Sequence, residues 1–219
     1  DEAFDGIATA KANAEKNLRS ARAIFESHLQ SVFTQRGEGW VEMTIDQIST
    51  NLDSKRIPIT KSDRTSGEFP YYGASGIVDY VTDYIFEGDT LLVSEDGANL
   101  LARSTPIAFS VSGKYWVNNH AHILKFGSIA TQRFVEFYLE SIKLDEYITG
   151  AAQPKLNQKA LNSIPIPIPK LVEEQAKIVE SIESLSEETQ RLESIYQQKL
   201  TALEALKKSL LHQAFTGEL

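Results

Sequence analysis

Cysteine is absent from the 219 residues, which excludes disulfides, thiolate zinc sites and a cysteine nucleophile. Long apolar runs are absent too. None approaches the ~20 residues that a membrane-spanning helix requires, and no charged-then-apolar leader opens the chain. These absences point to a cytoplasmic protein that has no membrane partner. An excess of positive charge is also missing: 22 Lys and Arg against 30 Asp and Glu leave a net charge of −8. As a total, that argues against nucleic acid as a partner. What remains is 42% apolar and 24% charged, an ordinary folded composition with enough chain for one sizeable core or two small ones.

The distribution of charge says more than its sum. Glu68 to Asp96 holds seven acids and no Lys or Arg, whereas Gly97 to Phe134 holds Arg103, Lys114, Lys125 and Arg133 and no acid. A second acid-free stretch, Tyr147 to Val172, carries Lys155, Lys159 and Lys170. The segment Asn51–Ser66 sets Lys55, Arg56, Lys61 and Arg64 against two aspartates. Segregation of this kind can give a domain one positive face while its total stays negative; the plainer reading is an unevenly charged, solvated surface.

Two segments carry helical periodicity. In residues 1–36, Phe4, Ile7, Ala14, Leu18, Ala21, Phe25 and Val32 recur at steps of three and four, with Lys11 and His28 interrupting. Gly37 and Gly39 then stop the helix. From Ile178 a 4-3-4-3 series visits Ile182, Leu185, Thr189, Leu192, Tyr196, Lys199, Leu203, Leu206, Leu210 and Gln213. That is a coiled-coil seam, on a helix that at 1.5 Å per residue runs roughly 65 Å. Between the helices the spacing predicts strands over Ile77–Phe86, Thr90–Ser94, Ile107–Val111 and Tyr115–Phe126, separated by Gly-containing turns. It then predicts a helix over Thr131–Glu146 and a short one near Asn157–Leu161. The alternating prolines of Ser163–Pro169 restrict that segment to an edge strand or stiff strap. The expected architecture is α/β (α+β): a mixed, β-rich globular domain at 39–170, with a helix at 1–38 and another at 171–219 pairing antiparallel as a coiled-coil spacer.

One internal repeat bears on organisation. Ser27-His-Leu-Gln-Ser-Val-Phe-Thr34 aligns with Ser209-Leu-Leu-His-Gln-Ala-Phe-Thr216 at an offset of 182, and Leu18/Leu200 and Ala23/Ala205 match as well. The first copy leads into the globular domain. The second therefore marks a place where another domain would begin, or against which another copy docks, so the helices admit a homodimer.

In order along the chain come Trp40-Val-Glu-Met-Thr-Ile-Asp-Gln-Ile48, Phe69-Pro-Tyr-Tyr-Gly-Ala-Ser-Gly-Ile77 and Ile85-Phe-Glu-Gly-Asp-Thr-Leu-Leu-Val-Ser-Glu-Asp-Gly-Ala98. Trp116-Val-Asn-Asn-His-Ala-His122, Ala152-Gln-Pro-Lys-Leu156, the proline strap, Glu174-Gln175 and the ending Ala214-Phe-Thr-Gly-Glu-Leu219 follow. Jointly, this order resembles the specificity subunits of Type I restriction-modification systems over nearly the whole chain. Such subunits carry two target-recognition domains, each followed by a helical region. The resemblance implies a naturally half-sized subunit or the C-terminal half of a full one. It implies that the globular domain reads one half of a bipartite double-stranded DNA target. The helices would then set spacing and dock the methyltransferase (modification) subunits, with the restriction subunit reached through the complex. It implies no catalysis and no cofactor in this chain. The residues agree, since no Asn-Pro-Pro-Tyr motif, Gly-Lys-Ser/Thr loop or acid-rich nuclease core is found.

For DNA contact, Lys55, Arg56, Lys61 and Arg64 are candidates for phosphates, and Arg103 and Lys114 for phosphates or guanine edges. Tyr72 and Ser75 lie in a Gly-rich segment where backbone could approach a groove, although one of Tyr71 and Tyr72 can equally be core. Asn118 and Asn119 could read adenine edges, and strand alternation would send only one of them to DNA. His120 and His122, on one face of the same expected strand, form a minimal metal pair without a third ligand, and no metal is expected. Asp96 in Ser94-Glu-Asp-Gly97 reads as a turn residue rather than a catalytic carboxylate. The alternatives are a coiled-coil scaffold whose domain binds protein, which the acidic run 68–96 would permit, and an enzyme built on the His120/His122 strand.

Overall fold

The computed structural model describes residues 2–150 and 152–217. Asp1 and the Glu218-Leu219 end of the last quoted motif lie outside the described residues. The elements are α1 (Glu2–Thr34), β1 (Trp40–Thr44), α2 (Ile45–Ile48), β2 (Ser49–Asn51), β3 (Ser66–Gly73), β4 (Gly76–Val81), β5 (Phe86–Glu87) and β6 (Thr90–Ser94). They continue as α3 (Asn99–Ala102), β7 (Ala108–Val111), β8 (Lys114–Val117), β9 (Ala121–Phe126), α4 (Ile129–Ser141), α5 (Gln158–Asn162), β10 (Pro165–Pro169) and α6 (Val172–Thr216). The chain divides into two compact units: Asp1–Val32 with Glu180–Leu219, and Phe33–Val179.

The first unit is a pair of antiparallel helices. Lys11 meets Glu204 at 3.1 Å, Asn17 meets Tyr196 at 3.1 Å, and Arg22 meets Glu193 at 2.6 Å, so advancing along one helix means retreating along the other. Ile7, Ala14 and Ala21, seven residues apart, are buried on α1. The small alanines let the facing helix approach closely. On α6 the seam residues Ile182 and Thr189 are buried, and Leu185, Leu192, Tyr196 and Leu203 are half-buried. Lys199, on the seam by spacing, is exposed, and Leu200 beside it is half-buried in its stead.

The second unit is built on two four-stranded sheets, ordered β2-β9-β6-β7 and β4-β3-β8-β5, and a two-stranded ladder of β1 with β10. Leu92, Val111, Ala121 and Ile123 of the first sheet meet Phe86, Tyr115 and Val117 of the second in one core. Strand β6 is buried at every position. Leu92 faces that core, so alternation turns Leu91 and Val93 to the opposite face, where α4 packs on β6, β7 and β9. A strand covered on both faces has to be continuously apolar, which is why Thr90-Leu-Leu-Val lacks the polar alternation of a half-buried strand.

Helix α4 begins where Ser128 Oγ accepts a hydrogen bond from the Thr131 amide at 3.0 Å. Removing that cap with Ser128→Ala is expected to cost about 1 kcal/mol of stability, measurable by denaturant unfolding. The helix ends at Ser141, five residues before the expected limit, where the Arg103 guanidinium takes up the carbonyls of Leu139 and Ile142 at 3.2 and 2.8 Å. The proline strap forms β10, and its prolines face Trp40, Glu42 and Thr44 of β1. Three prolines at alternate positions remove every N–H on one side of the strand, so it can ladder with a neighbour on the other side only. Ile164, Ile166 and Ile168 are buried.

Two expected strands were too long. Ile77–Phe86 divides into β4 and β5, and Tyr115–Phe126 into β8 and β9 with a turn at Asn118–His120. Apolar patterning runs across both breaks and conceals them.

Candidate nucleic-acid interface

Strand register brings five chain segments to one edge of the Phe33–Val179 unit. Ser94 pairs with Ala121 and Val93 with Ala108, so β6 ends where β9 and β7 begin. Tyr72 pairs in parallel with Val117, and Asn118 N donates to Tyr72 O at 3.0 Å, so β3 and β8 end together. Ser94 Oγ donates to Ala74 O, which joins the two sheets at that end. The segment after β2 runs the same way: Leu52 N donates to Ile123 O at 2.8 Å, and Arg56 reaches the Ala121 carbonyl at 2.9 Å. Finally, residues 149–156 lie against the turn after β6, with Gly97 N on Pro154 O at 3.0 Å and Leu156 N on Glu95 O at 2.8 Å. Gly97 sits at φ +105°, a conformation open to glycine at little cost.

A buried ionic network underlies this edge. The Asp53 carboxylate accepts from His122 Nδ1 at 2.5 Å and from the Ile123 amide at 2.9 Å. His122 is 1% exposed, and its Nε2 lies 2.7 Å from the Leu156 carbonyl. Glu95 pairs with Arg56 at 2.6 Å and with Lys155 Nζ at 3.1 Å. Burial alone would push the Asp53 and Glu95 carboxyls up. It is outweighed at Asp53 by His122, the Ile123 amide and Arg56, and at Glu95 by Arg56, His122 and Lys155, so both lie below the ordinary carboxylate range. Asp53, Glu95 and His122 could present three ligand atoms within 4.8 Å of one another. A cation there would have to displace the His122, Arg56 and Lys155 partners that these carboxylates already hold. The network ties the 53–56, 94–97, 121–123 and 153–156 segments together, which fixes the exposed residues beside them.

The sequence-derived candidates separate into groups. Lys55, Ser75 and Asn119 are exposed on the converged edge. Lys61 is exposed in a short 3-10 turn preceding β3. Arg64 lies against the β3–β4 hairpin, its guanidinium 4.4 Å from the Tyr71 ring centroid and 3.2 Å from Asp79. Lys114 opens β8, at the end of that strand remote from Asn118, with its ammonium over the Tyr84 ring at 4.5 Å.

Five expectations need correction. Arg56 is committed to Glu95, Asp53 and a carbonyl, with its side chain 15% exposed, so it supports the edge rather than facing solvent. Arg103, at φ 50°, caps α4 from a half-buried position, where desolvation lowers its ordinarily very high pKa. Tyr72 belongs to strand β3, packed on Phe109 and Tyr115 at centroid distances of 6.0 and 5.9 Å, and burial raises its phenol. Asn118 is 7% exposed and holds the turn through its Oδ1, which accepts from His120 N at 2.8 Å. The two histidines do not share a strand: His120 is in the turn and exposed, and His122 is in β9 and buried.

Sequence reasoning passed over His120, Asp96 and Lys155 as parts of one surface. His120 Nδ1 lies 3.0 and 2.8 Å from the two Asp96 carboxylate oxygens, and Asp96 forms an isolated bridge with Lys155. The signal was present in the Ser94-Glu-Asp-Gly97 and Ala152-Gln-Pro-Lys-Leu156 motifs. Their proximity was not, because it depends on a return of the chain over some sixty residues.

One unit is thus a layered, β-rich body with loops converging on one edge, and the other a long antiparallel helix pair. The sequence model of the Type I restriction modification DNA specificity domain matches residues 37–202, and the chain belongs to this family, whose role is specificity and not catalysis. A curated relative named as a type I restriction enzyme specificity subunit, from Haemophilus influenzae, is 37% identical over 142 residues, covering 65% of this chain and 36% of the relative. A chain solved in work on complex assembly and conformational transition of the type I restriction-modification system superposes with TM-score 0.80 at 15% identity, over 99% of this chain and 57% of that one. The S subunit from M. genitalium gives 0.63 at 16% identity, over 94% and 57%. The HsdS subunit from Thermoanaerobacter tengcongensis gives 0.63 at 16% identity, over 100% and 59%. These structures share the fold, and the chain spans only part of the length of each relative.

Proposed function

We propose that residues 39–170 read one half of a bipartite double-stranded DNA target through the loop edge, while the helices at 1–38 and 171–219 space that reader and dock modification subunits. The observation that carries this is the convergence of five loop segments onto one edge, held by the Asp53–His122–Glu95–Arg56–Lys155 network. Base reading requires side chains fixed relative to one another, because ordering them on binding would cost free energy. Lys55 on that edge and Lys61 beside the hairpin supply phosphate attraction despite the acidic total. Lys55→Ala is expected to weaken binding about equally for all sequences and to lower the slope of log K against log salt by about 1, read by fluorescence anisotropy across a salt series.

The repeat supports a second recognition domain, or a second copy of this chain, as the partner of the helix end. Phe33 and Leu29 are buried, whereas their repeat equivalents Phe215 and Leu211 are 87% and 39% exposed. Co-expression with type I modification subunits and methylation mapping tests the reading. One defined methylated sequence is expected. An assembled complex that methylates at no defined sequence would overturn it.

A further inference from the structure

On the basis of that DNA-reading role, we propose that His120 is a specificity-determining residue. Its imidazole Nε2 accepts a hydrogen bond from an exocyclic base amine, adenine N6 or cytosine N4, in the major groove, and Asp96 is its positioning residue. The Asp96 carboxylate offers only acceptors, so the ring nitrogen facing it at 2.8 Å is the one that carries hydrogen in the neutral imidazole. Nε2, the outer nitrogen, then bears the lone pair. It has no hydrogen-bond partner among the described residues, and the side chain is 49% exposed.

The ring is held from several directions. The His120 amide donates to Asn118 Oδ1 at 2.8 Å, and its carbonyl accepts from the Glu95 amide at 2.9 Å. The Asp96 backbone is in turn held by an isolated antiparallel β-bridge to Lys155. A side chain already fixed in tautomer and direction loses little entropy on binding and discriminates sharply between a donor and an acceptor on a base edge. An adenine or cytosine amine satisfies Nε2. The oxygen that guanine or thymine presents at the equivalent place would meet the lone pair and be rejected. Asn119, next to His120 in the turn, and Ser75 on the same edge are exposed as well. The buried Asp53–His122 pair beneath uses the same two residue types with both ring nitrogens satisfied internally. It supports the edge, whereas the outer pair leaves one nitrogen available.

The test is methylation of a randomised duplex library by the complete complex of specificity and modification subunits. Wild type is compared with His120→Ala, Asp96→Asn and His120→Gln, and the modified sites are sequenced. For wild type, each specified half-site position requires one base pair, and the library shows which position depends on His120. His120→Ala should relax that position by about tenfold, the lower range for one base contact, and leave the other positions and the melting temperature unchanged. Asp96→Asn should relax the same position, because an amide no longer dictates which ring nitrogen carries hydrogen. His120→Gln covers the case in which the alanine variant does not fold, and should alter that position alone. Unchanged preferences at every position, or uniform loss at all positions, would each overturn the assignment. A wild-type complex with no defined sequence would instead defeat the DNA-reading role on which it rests.

Discussion

Arg56→Met is expected to destabilise the Phe33–Val179 unit by about 3 kcal/mol, at the lower end of the cost of breaking a buried ion pair. The guanidinium lies 2.6 Å from Glu95 and 3.6 Å from Asp53, and the three side chains are only 5–15% exposed. The loss comes less from the pair's own attraction than from what it leaves behind: Glu95 retains Lys155, Asp53 retains His122, and both carboxylates stay buried one partner short. Chemical denaturation followed by tryptophan fluorescence measures it, and a change under 1 kcal/mol would show that water replaces the arginine. In a double-mutant cycle, Arg56→Met with Glu95→Gln should cost less than the two single changes together, since the second removes the charge the first has stranded.

The same groups set a pH dependence. Asp53 and Glu95 lie below their ordinary range in the folded protein, so the unfolded chain binds more protons than the folded one as acid is added. Their contribution is therefore complete above about pH 5, where the unfolded carboxyls are mostly ionised, and declines as pH falls further and the folded ones protonate. The difference in stability between wild type and Arg56→Met should shrink over that same acidic interval and be flat near neutrality.

Phe33→Ala is expected to cost about 3–5 kcal/mol, and Phe215→Ala no more than about 0.5 kcal/mol in the chain by itself. The two residues occupy matching places in an eight-residue repeat. Phe33 is 5% exposed and meets Phe134 and Tyr138 edge-on at 5.3 and 5.2 Å, while Phe215 is 87% exposed. Sequence identity thus coexists with opposite energetic roles, because burial and not residue type sets the cost of truncation. Denaturant titration of both variants checks it. Equal effects would mean that Phe215 is covered in solution, and the mass of the species by light scattering would then show whether a second copy covers it.

Parts of this protein are legible without coordinates because the signals are local. The α6 seam follows from a 4-3-4-3 spacing, β6 from an apolar run between Gly-Asp and Asp-Gly, and the edge character of β10 from prolines that have no N–H to donate. The candidate interface was only half legible. Lys55, Ser75 and Asn119 were found by residue type, and they are on the surface. Arg56, Arg103 and Asn118 were chosen by the same criterion and are turned inward, because a charged or amide side chain satisfies a buried partner as readily as a phosphate or a base.

The sequence by itself determined the two helices with their antiparallel sense, the β-rich segment between them and the restriction-modification resemblance, all of which rest on periodicity or on ordered motifs. The tertiary structure decided which cations face outward, which of two histidines is buried, and that Asp96 stands beside His120. The physical reason is common to all three. Each depends on groups brought together from distant positions, Arg56 and His122 by 53, 95, 121 and 156, Arg103 by 139 and 142, and His120 by 96, and pairing between such distant points is decided by strand register and not by any local pattern of residues.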